Sequence, residues 1–439
     1  MTSAPLSPRV RRGYALGSVA TGTFGTVPGL LLLPYLTDVL GVAAFVAGVI
    51  VFAPKAWDVL LNPVAGRISD RHESPSGRRR PFLLRGGLAL AAGFALLFAG
   101  PTSPTGIAAA YVVVLFLACA TAYAFFQVPY VAMPAELTLD YDERTRLMTW
   151  RVVVLAIAIL LSGATAPMVV EAFDDEVTGH RVMGAYVAVI LLVGVVGAWY
   201  GTRAAPEHRV ASAEGSLADQ LRLVSRAPDF RALLMTFVVQ ALGVGTMLAG
   251  VAYMADDVLD SPGAASVLFA AFVGPALLVT PLWERWGATR TKRSGYTAAS
   301  VVMAAGMALV FGSPVTTPVL LYVAAGLTGI GYAGAQVFPM AMLPDAAAHD
   351  AHRSGQNRIG VYTGVWTAGE TLGLALGPAL FAIVIALGGY ESSTAGVDVT
   401  QSSSAAWAIR IGFGLLPALL VLTSLLFLPR YRLDERLER

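Results

Sequence analysis

Long apolar stretches set the strongest limit on what this chain can fold into. A membrane's hydrocarbon core is about 30 Å thick, and a helix needs about 20 apolar residues to cross it. The 439 residues contain twelve such stretches. The sequence therefore predicts an all-α membrane protein with twelve membrane-spanning helices, at about residues 13–36, 42–66, 82–101, 107–133, 147–170, 182–202, 231–254, 264–283, 296–312, 318–343, 361–389 and 411–429.

Charged residues are scarce, which excludes most soluble functions. They make up 13% of the chain, whereas a typical soluble protein carries about a quarter. The formal net charge of +2 also argues against a polyanion partner, so we expect no nucleic-acid binding. The single cysteine, Cys119, rules out an intramolecular disulfide and a cysteine metal site. We expect a monomer in the lipid bilayer that takes a small-molecule substrate and holds no metal or cofactor.

The cationic residues orient the predicted spans. Of the 30 lysines and arginines, 26 fall at the two termini and in alternate connecting segments, and two fall in the opposite segments. Lys55 and Arg85 lie within spans. Cationic loops resist translocation, so the segments rich in arginine are expected to be cytoplasmic. Both termini are then cytoplasmic, and the protein is expected to be a multi-pass protein of the cell (inner or plasma) membrane.

A polar stretch divides the chain into two six-helix halves. Residues 203–230 form the longest internal polar segment, with a possible short amphipathic helix at 217–224. We therefore expect an N-terminal half over residues 1–202, a cytoplasmic linker over 203–230 and a C-terminal half over 231–439.

A faint internal repeat supports this division. The ends of the fourth and tenth spans share three polar positions at a constant offset of 209 residues: Gln127 with Gln336, Glu136 with Asp345, and Arg144 with Arg353. Chance agreement between two alanine-rich segments is the alternative. The constant offset favours duplication, and parallel duplication of a six-helix half is how the major facilitator fold is built.

Four charged or polar residues lie where a bilayer should exclude them. Lys55, Asp58 and Asn62 share one face of the second span, and Glu370 lies in the eleventh. Charges inside a membrane are costly and mark function by default, so we assign these residues to cation or proton coupling. A fixed ion pair between Lys55 and Asp58 is the structural alternative. We also hypothesise that Lys55 pairs with Asp58, Glu370 or both, and changes partner during transport.

Charged residues also cluster in three segments expected to be cytoplasmic. Such groups are suited to salt bridges that form and break between two conformations. The sequence therefore predicts a cytoplasmic gate made of Asp70, Arg71, Glu136, Arg144, Asp345, Arg353 and Arg358.

One glycine pattern resembles a nucleotide-binding motif but lacks the secondary structure that this motif requires. Gly329, Gly331 and Gly334 match the dinucleotide fingerprint, yet they lie inside the tenth span with no preceding strand. Close helix packing explains these glycines better.

Several motifs together resemble one family of transporters. They are Trp57-Asp58 followed by Asn62-Pro63, GRISDR and GRRRPF after the second span, QVPYVAMPAELTLDYDERTRL, and MLPDAAAHDAHRSGQNRIGVYTG. In order and spacing they are similar to the glycoside–pentoside–hexuronide:cation symporters of the major facilitator superfamily, the melibiose permease-like group. The resemblance implies alternating access, with the substrate held near the midplane between the halves.

The segment that binds sodium in this family is altered here. The resemblance places the first carboxylate at Asp58, but Leu61 replaces an amide, Asn62 replaces the second carboxylate and Ala124 replaces a hydroxyl. Hard cations need several oxygen ligands, so we expect any coupling to use protons rather than sodium.

The family's sugar-binding positions are also altered. The resemblance places two aspartates at Gly22 and Gln127, an aromatic at Val131 and a lysine at Thr371, while Arg151 matches a family arginine. Because these carboxylates are lost, we do not expect a melibiose-like substrate. A less hydroxylated or amphiphilic solute fits better. The predicted substrate cavity also includes Gln336, which is the repeat partner of Gln127, and Trp366, which lies one turn before Glu370.

The leading interpretation is thus a secondary transporter, a proton symporter related to sugar and glycoside symporters. The alternatives of the same fold are an exporter and a carrier of lipids, lysolipid-like amphiphiles or drugs. A receptor and an intramembrane enzyme are the alternatives of another class, and the chain shows no catalytic motif. The substrate, the direction of transport and the coupling ion stay open at this point.

Overall fold

In the part of the chain that it describes, the computed structural model consists of helices joined by turns and loops. That part comprises residues 6–72, 74, 77–138, 141–203, 205, 227–261, 263–313, 317–354, 359–397 and 399–433. Within it, β pairing is limited to one isolated antiparallel bridge between Leu40 and Thr394.

Twelve helical segments are long and apolar enough to cross a membrane, which confirms the predicted number of spans. The twelfth span, Ser403–Arg430, contains two α-helices joined by a π-helical turn over Ile411–Leu415. The α-helices longer than one turn are α1 (Pro8–Pro34), α2 (Ala44–Arg71), α3 (Arg80–Leu97), α4 (Thr105–Leu137), α5 (Tyr141–Glu171), α6 (Glu176–Thr202), α7 (Pro228–Ala249), α8 (Ala264–Thr289), α9 (Lys292–Gly312), α10 (Pro318–Ser354), α11 (Ile359–Leu387), α12 (Ser403–Arg410) and α13 (Leu416–Ser424).

Polar capping residues start several helices earlier than hydropathy predicts. Asp175 accepts from the Thr178 amide at 3.0 Å, so α6 begins at Glu176 rather than near residue 182. Ser402 likewise accepts from the Ala405 amide at 3.2 Å and starts α12 before the apolar run. Such caps satisfy backbone donors that a helix cannot pair internally, and they lie outside the apolar pattern.

The described residues form two compact units. Unit 1 lies within Met1–Ser212 and includes Ser392–Val399, whereas unit 2 lies within Ala213–Glu391 and Thr400–Arg439. The segment 392–399 therefore packs with unit 1, although the sequence predicts it to lie in the C-terminal half. Most of the predicted linker, including the amphipathic stretch at 217–224, lies outside the described residues.

Both units use the same scheme of helix packing. In unit 1 the main contacts join α1 to α5 and α6, α3 to α4 and α6, and α2 to α4. In unit 2 they join α7 to α11 and α13, α9 to α10 and α13, and α8 to α10. Since α13 belongs to the twelfth span, each pair of spans in unit 1 has a counterpart six spans later. This correspondence is what duplication of a six-helix half predicts.

The glycines of α10 serve this packing. A Cβ atom added at Gly329 would overlap the carbonyl oxygen of Phe272 in α8, and one added at Gly331 would overlap the backbone of Met303 in α9. Small residues allow helix backbones to approach closely in a membrane. The structure thus supports packing, rather than nucleotide binding, as the role of this pattern.

The chain just after α1 forms backbone hydrogen bonds with the segment 392–399 within unit 1. After α1 the chain continues as a π-helical turn over Tyr35–Val39. The Ser393 amide donates to the Thr37 carbonyl at 3.0 Å, and the Ala395 amide donates to the Val39 carbonyl at 3.2 Å. These bonds explain why the segment 392–399 belongs to unit 1.

A carboxyl group after α7 gives a test of pH-dependent stability. Burial raises the pKa of Asp257 to about 6, and a hydrogen bond from Tyr390 only partly opposes this. Between the usual aspartate pKa and this value the folded protein binds more protons than the unfolded chain, so its stability falls as pH rises. We expect Asp257→Asn to remove this loss. The thermal unfolding midpoint of the variant relative to the wild-type protein should rise from about pH 4 to about pH 6, and the difference should level off above the raised pKa.

Candidate functional site

The predicted coupling residues of unit 1 lie in a small buried cluster. Asp58 of α2 is 4% exposed, and its Oδ1 atom has no hydrogen-bond partner among the described residues. Lys55, one turn earlier, places its Nζ atom 5.4 Å from the centroid of the Phe24 ring in α1. Tyr123 of α4 lies within electrostatic reach of Asp58 and packs on Phe24, with ring centroids 4.6 Å apart.

This geometry differs from a simple ion pair. Lys55 interacts electrostatically with Asp58, but no salt bridge joins their side chains in the described part of the chain; the Lys55 ammonium faces an aromatic ring instead. The hypothesis that Lys55 changes partner between Asp58 and Glu370 stays a prediction. The sequence does not identify Phe24 and Tyr123 as site residues, because an aromatic residue in an apolar stretch does not indicate that a charged side chain lies beside it.

Arg151 of α5 adds a second cation to the polar interior of unit 1. Its guanidinium lies 5.6 Å from the Tyr130 ring centroid, and its Nε atom has no hydrogen-bond partner among the described groups. The Tyr130 hydroxyl donates to the Tyr14 carbonyl at 2.8 Å and lies 2.8 Å from the Ser18 Oγ atom. Arg151 therefore retains an unused donor beside a fixed aromatic network.

The other predicted cavity and coupling positions of unit 1 differ in their surroundings. Gly22 is buried against α5, where an added Cβ would lie 3.1 Å from the Leu155 carbonyl oxygen, so it allows the two helices to approach closely. Gln127 and Asn62 are half-buried, and Val131 is 43% exposed. The structure thus describes Gly22 at the α1–α5 contact, and its place in the substrate cavity stays a prediction.

Glu370 and Gln336 line a cavity inside unit 2. The cavity lies between α7, α9, α10 and α11 and has room for about one water molecule. Its walls combine apolar side chains with one carboxylate, one phenol and two carboxamides: Phe237, Gln240, Ala241, Val244, Met303, Tyr332, Ala335, Gln336, Glu370 and Leu374. The sequence predicted Glu370 and Gln336 as site residues, but it gave no signal for Gln240 or Tyr332.

Trp366 and Thr371 lie near this cavity without forming its described wall. Trp366 is 1% exposed and stacks on Phe237, with ring centroids 4.3 Å apart. It therefore supports a lining residue from behind, and its place in the substrate cavity stays a prediction. Thr371 follows Glu370 and is half-buried.

Two predicted gate residues form ion pairs inside their own units. Glu136, at the end of α4, pairs with Arg79 at 2.7 Å, and Asp345 of α10 pairs with Lys292 at 2.6 Å. Arg79 lies at the start of α3 and Lys292 at the start of α9, the helices that precede α4 and α10. The two ion pairs are therefore equivalent. Arg71 is exposed; the side chains of Asp70, Arg144 and Arg353, and all of Arg358, lie outside what the structure describes. The gate as a whole stays a prediction.

The two equivalent ion pairs should differ in their effect on stability. The Arg79 and Glu136 side chains are 11% and 6% exposed, against 36% and 26% for Lys292 and Asp345. Removing one partner of a buried pair costs about 3–5 kcal/mol, whereas an exposed pair contributes about 1 kcal/mol or less. We expect Glu136→Gln to lower the free energy of unfolding far more than Asp345→Asn, measured by chemical unfolding in detergent.

The double variant Arg79→Gln/Glu136→Gln provides the control for that comparison. It removes both charges of this pair together, so it should recover much of the stability lost in Glu136→Gln. Equal small losses in all three variants would show that burial of the Arg79–Glu136 pair contributes nothing.

Twelve apolar helices, matching packing schemes in the two units and buried charges on several spans define a membrane transporter of the major facilitator type. The chain belongs to the MFS/sugar transport protein family, whose sequence model matches residues 13–435. The predicted resemblance to glycoside–pentoside–hexuronide:cation symporters is confirmed, and the chain is a multi-pass secondary transporter rather than an enzyme.

Relatives cover nearly the whole chain at low identity. The glucuronide carrier protein homolog of Escherichia coli is 23% identical over 98% of this chain and 94% of its own length. The isoprimeverose transporter of Lactiplantibacillus pentosus is 21% identical over 97% and 88%. The sphingosine-1-phosphate transporter MFSD2B of Xenopus tropicalis is 22% identical over 98% and 89%.

Solved structures show the same fold. A bacterial homolog of the human lysosomal transporter Spinster, inward-facing and unoccupied, has a TM-score of 0.69 at 12% identity and covers 98% of this chain and 96% of its own. A mutant of the nucleoside transporter NupG has a TM-score of 0.67 at 12% identity over 96% and 99%.

Proposed function

We propose that this transporter is a monomeric proton symporter of the cell membrane that carries a small organic solute, without a metal or other cofactor. The observation that carries the proposal is Asp58, a buried carboxylate within a span whose Oδ1 atom lacks a hydrogen-bond partner in the described structure. A carboxyl group in such a place can take up and release one proton during each transport cycle. Glu370 supplies a second carboxylate in unit 2.

The surroundings of Asp58 favour a proton over sodium. Hard cations require several oxygen ligands. Here Leu61 and Ala124 replace oxygen-bearing groups of the family pattern, and Ala124 is fully buried. The neighbours that the structure provides are the Lys55 ammonium and the Phe24 and Tyr123 rings. A cation and aromatic rings suit a single proton-binding carboxylate and make a poor sodium cage.

The polar groups around Glu370 offer few free partners to a solute with many hydroxyl groups. Most side chains beside Glu370 in the unit 2 cavity are apolar. Both amide donors of Gln240 are already used, because its Nε2 atom donates to Ser300 at 2.9 Å and to Ser424 at 3.0 Å. A solute with fewer hydroxyl groups than a sugar therefore suits this part of unit 2 better. The relative named as a sphingosine-1-phosphate transporter makes an amphiphilic solute the second candidate beside a glycoside.

Proteoliposomes containing a pH-sensitive dye test the proposal. The panel is a methyl glucuronide, isoprimeverose and sphingosine 1-phosphate, each added in sodium buffer and in buffer where choline replaces sodium. We expect a transported solute to carry protons inward at the same rate in both buffers. A strict sodium requirement would overturn proton coupling. A thermal-shift screen of purified protein extends the panel, since a bound ligand stabilises the folded state.

A further inference from the structure

The segment between α11 and α12 leaves unit 2 and returns to it. Both helices belong to unit 2, but the tip of the segment, residues 392–397, packs with unit 1. The Ser393 amide donates to the Thr37 carbonyl at 3.0 Å, and the Ala395 amide donates to the Val39 carbonyl at 3.2 Å. The tip is therefore held by backbone pairing to the chain just after α1.

Side chains of the tip add to this pairing. The Ser393 hydroxyl donates to the Asp38 carbonyl at 3.1 Å, and the Ser392 hydroxyl donates to the Val42 carbonyl at 3.0 Å. Hydrogen bonds of both kinds are directional and are lost when the tip moves away. The tip is thus fixed to the end of the first span by two amide and two hydroxyl donors.

The neck of the segment is fixed within unit 2. The Gln401 side chain closes the neck, because its Nε2 atom donates to the Glu391 carbonyl at 2.9 Å and its Oε1 atom accepts from the Glu391 amide at 3.1 Å. Tyr390 hydrogen-bonds to Asp257 and lies edge-on to Tyr253, with ring centroids 5.3 Å apart. The segment therefore has one anchor in each unit.

The two anchors lie at corresponding places of the duplicated halves. Asp257 lies in the π-helical turn Met254–Val258 after α7, and the tip pairs with the π-helical turn Tyr35–Val39 after α1. Such turns are rare and frequently occur at functional sites. Because α1, α7 and α11 are odd-numbered spans, their ends face the same side of the membrane. We call this side, opposite the predicted cytoplasmic gate, the outer side.

We propose that residues 390–397, closed by Gln401, form a strap that holds the outer side of the transporter shut, and that the tip must leave the end of α1 before this side opens. In alternating access, two halves rock about a fixed site and separate on one side at a time. The three residues from Tyr390 to Ser393 span at most about 11 Å. While both anchors hold, the ends of α1 and α7 cannot move far apart.

Distances between two spin labels test the strap without any solute. The labels are attached to cysteines in Ile107→Cys/Val319→Cys, with the native Cys119 replaced by alanine. Both side chains are exposed, at 59% and 68%, and they lie at the outer starts of α4 in unit 1 and α10 in unit 2. Electron spin resonance on the full-length protein in nanodiscs measures the distance distribution. We expect a closed, short-distance population to dominate this background protein.

Two double variants should release the tip. Ser393→Pro/Ala395→Pro removes both amide donors and should raise the ratio of long to short distances about tenfold. Ser392→Ala/Ser393→Ala removes only the hydroxyl donors, leaves the backbone intact and should give a smaller shift in the same direction. Thr400→Pro is the control, because the Thr400 amide makes no hydrogen bond in the described part of the chain, and it should leave the ratio unchanged.

A disulfide tests the contact of the tip itself. Leu40 and Thr394 are opposite each other in the antiparallel bridge, so Leu40→Cys/Thr394→Cys should form a disulfide on mild oxidation. Failure to form it, identical distance distributions in the background protein and both releasing variants, or an equal shift in Thr400→Pro would each overturn the proposal. These measurements use neither solute nor ion gradient, so their failure is distinguishable from failure of proton coupling.

Discussion

Glu370→Gln is expected to abolish uphill, pH-driven transport while exchange of a neutral solute across the membrane continues. Glutamine keeps the size and hydrogen-bonding capacity of the side chain, but it can neither bind a proton nor carry a charge. The cavity that contains Glu370 should keep its shape, because its nearest fixed network, Gln240 with Ser300 and Ser424, does not depend on this carboxylate. Proteoliposomes loaded with solute measure both activities, with a pH gradient for uphill uptake and without one for counterflow.

The comparison separates coupling from a structural role. If Glu370 only compensates charge, uphill uptake, counterflow and thermal stability should fall together in Glu370→Gln. If the variant keeps the pH dependence of the wild-type protein, Glu370 has no part in the mechanism. Glu391→Gln removes an exposed carboxylate just beyond the same helix and should leave both activities unchanged.

Hydropathy alone predicts the spans because the bilayer imposes one length and one composition on every helix. All twelve spans were found in this way, and the apolar pattern misplaced mainly the ends, where Asp175 and Ser402 start helices outside the apolar stretch. Pairing between distant segments carries no such signal. Residues 392–399 are held in unit 1 by backbone bonds to Thr37 and Val39 and by bonds from the Ser392 and Ser393 hydroxyls to backbone carbonyls, and hydropathy reflects neither kind.

The sequence predicted the site's charges better than their neighbours. Asp58 and Glu370 were identifiable because charge inside a span is rare. The partner of Glu136 was not, since the end of α4 is near many cations and only the structure selects Arg79. Helical spacing places Trp366 one turn before Glu370, but it does not show that Trp366 stacks on Phe237.

Neutralising Lys55 and Asp58 together is expected to be better tolerated in folding than neutralising either one. The two charges share one face of α2, and either charge alone within a span is unfavourable by about 3 kcal/mol. Lys55→Met leaves an uncompensated carboxylate, and Asp58→Asn leaves an uncompensated ammonium. Both single variants should therefore show a lower folded yield and a lower unfolding midpoint than the wild-type protein, and the double variant should recover most of both.

Transport should not recover with stability. The double variant Lys55→Met/Asp58→Asn lacks the carboxylate that we assign to the coupling proton, so it should exchange solute by counterflow and fail to concentrate it against a gradient. Uphill transport by the double variant would remove Asp58 from coupling. Wild-type stability of Asp58→Asn alone would show that the aromatic contact of Lys55 with Phe24, rather than the carboxylate, stabilises the ammonium within the span. The two measurements together therefore assign the charge balance and the proton to particular side chains of α2.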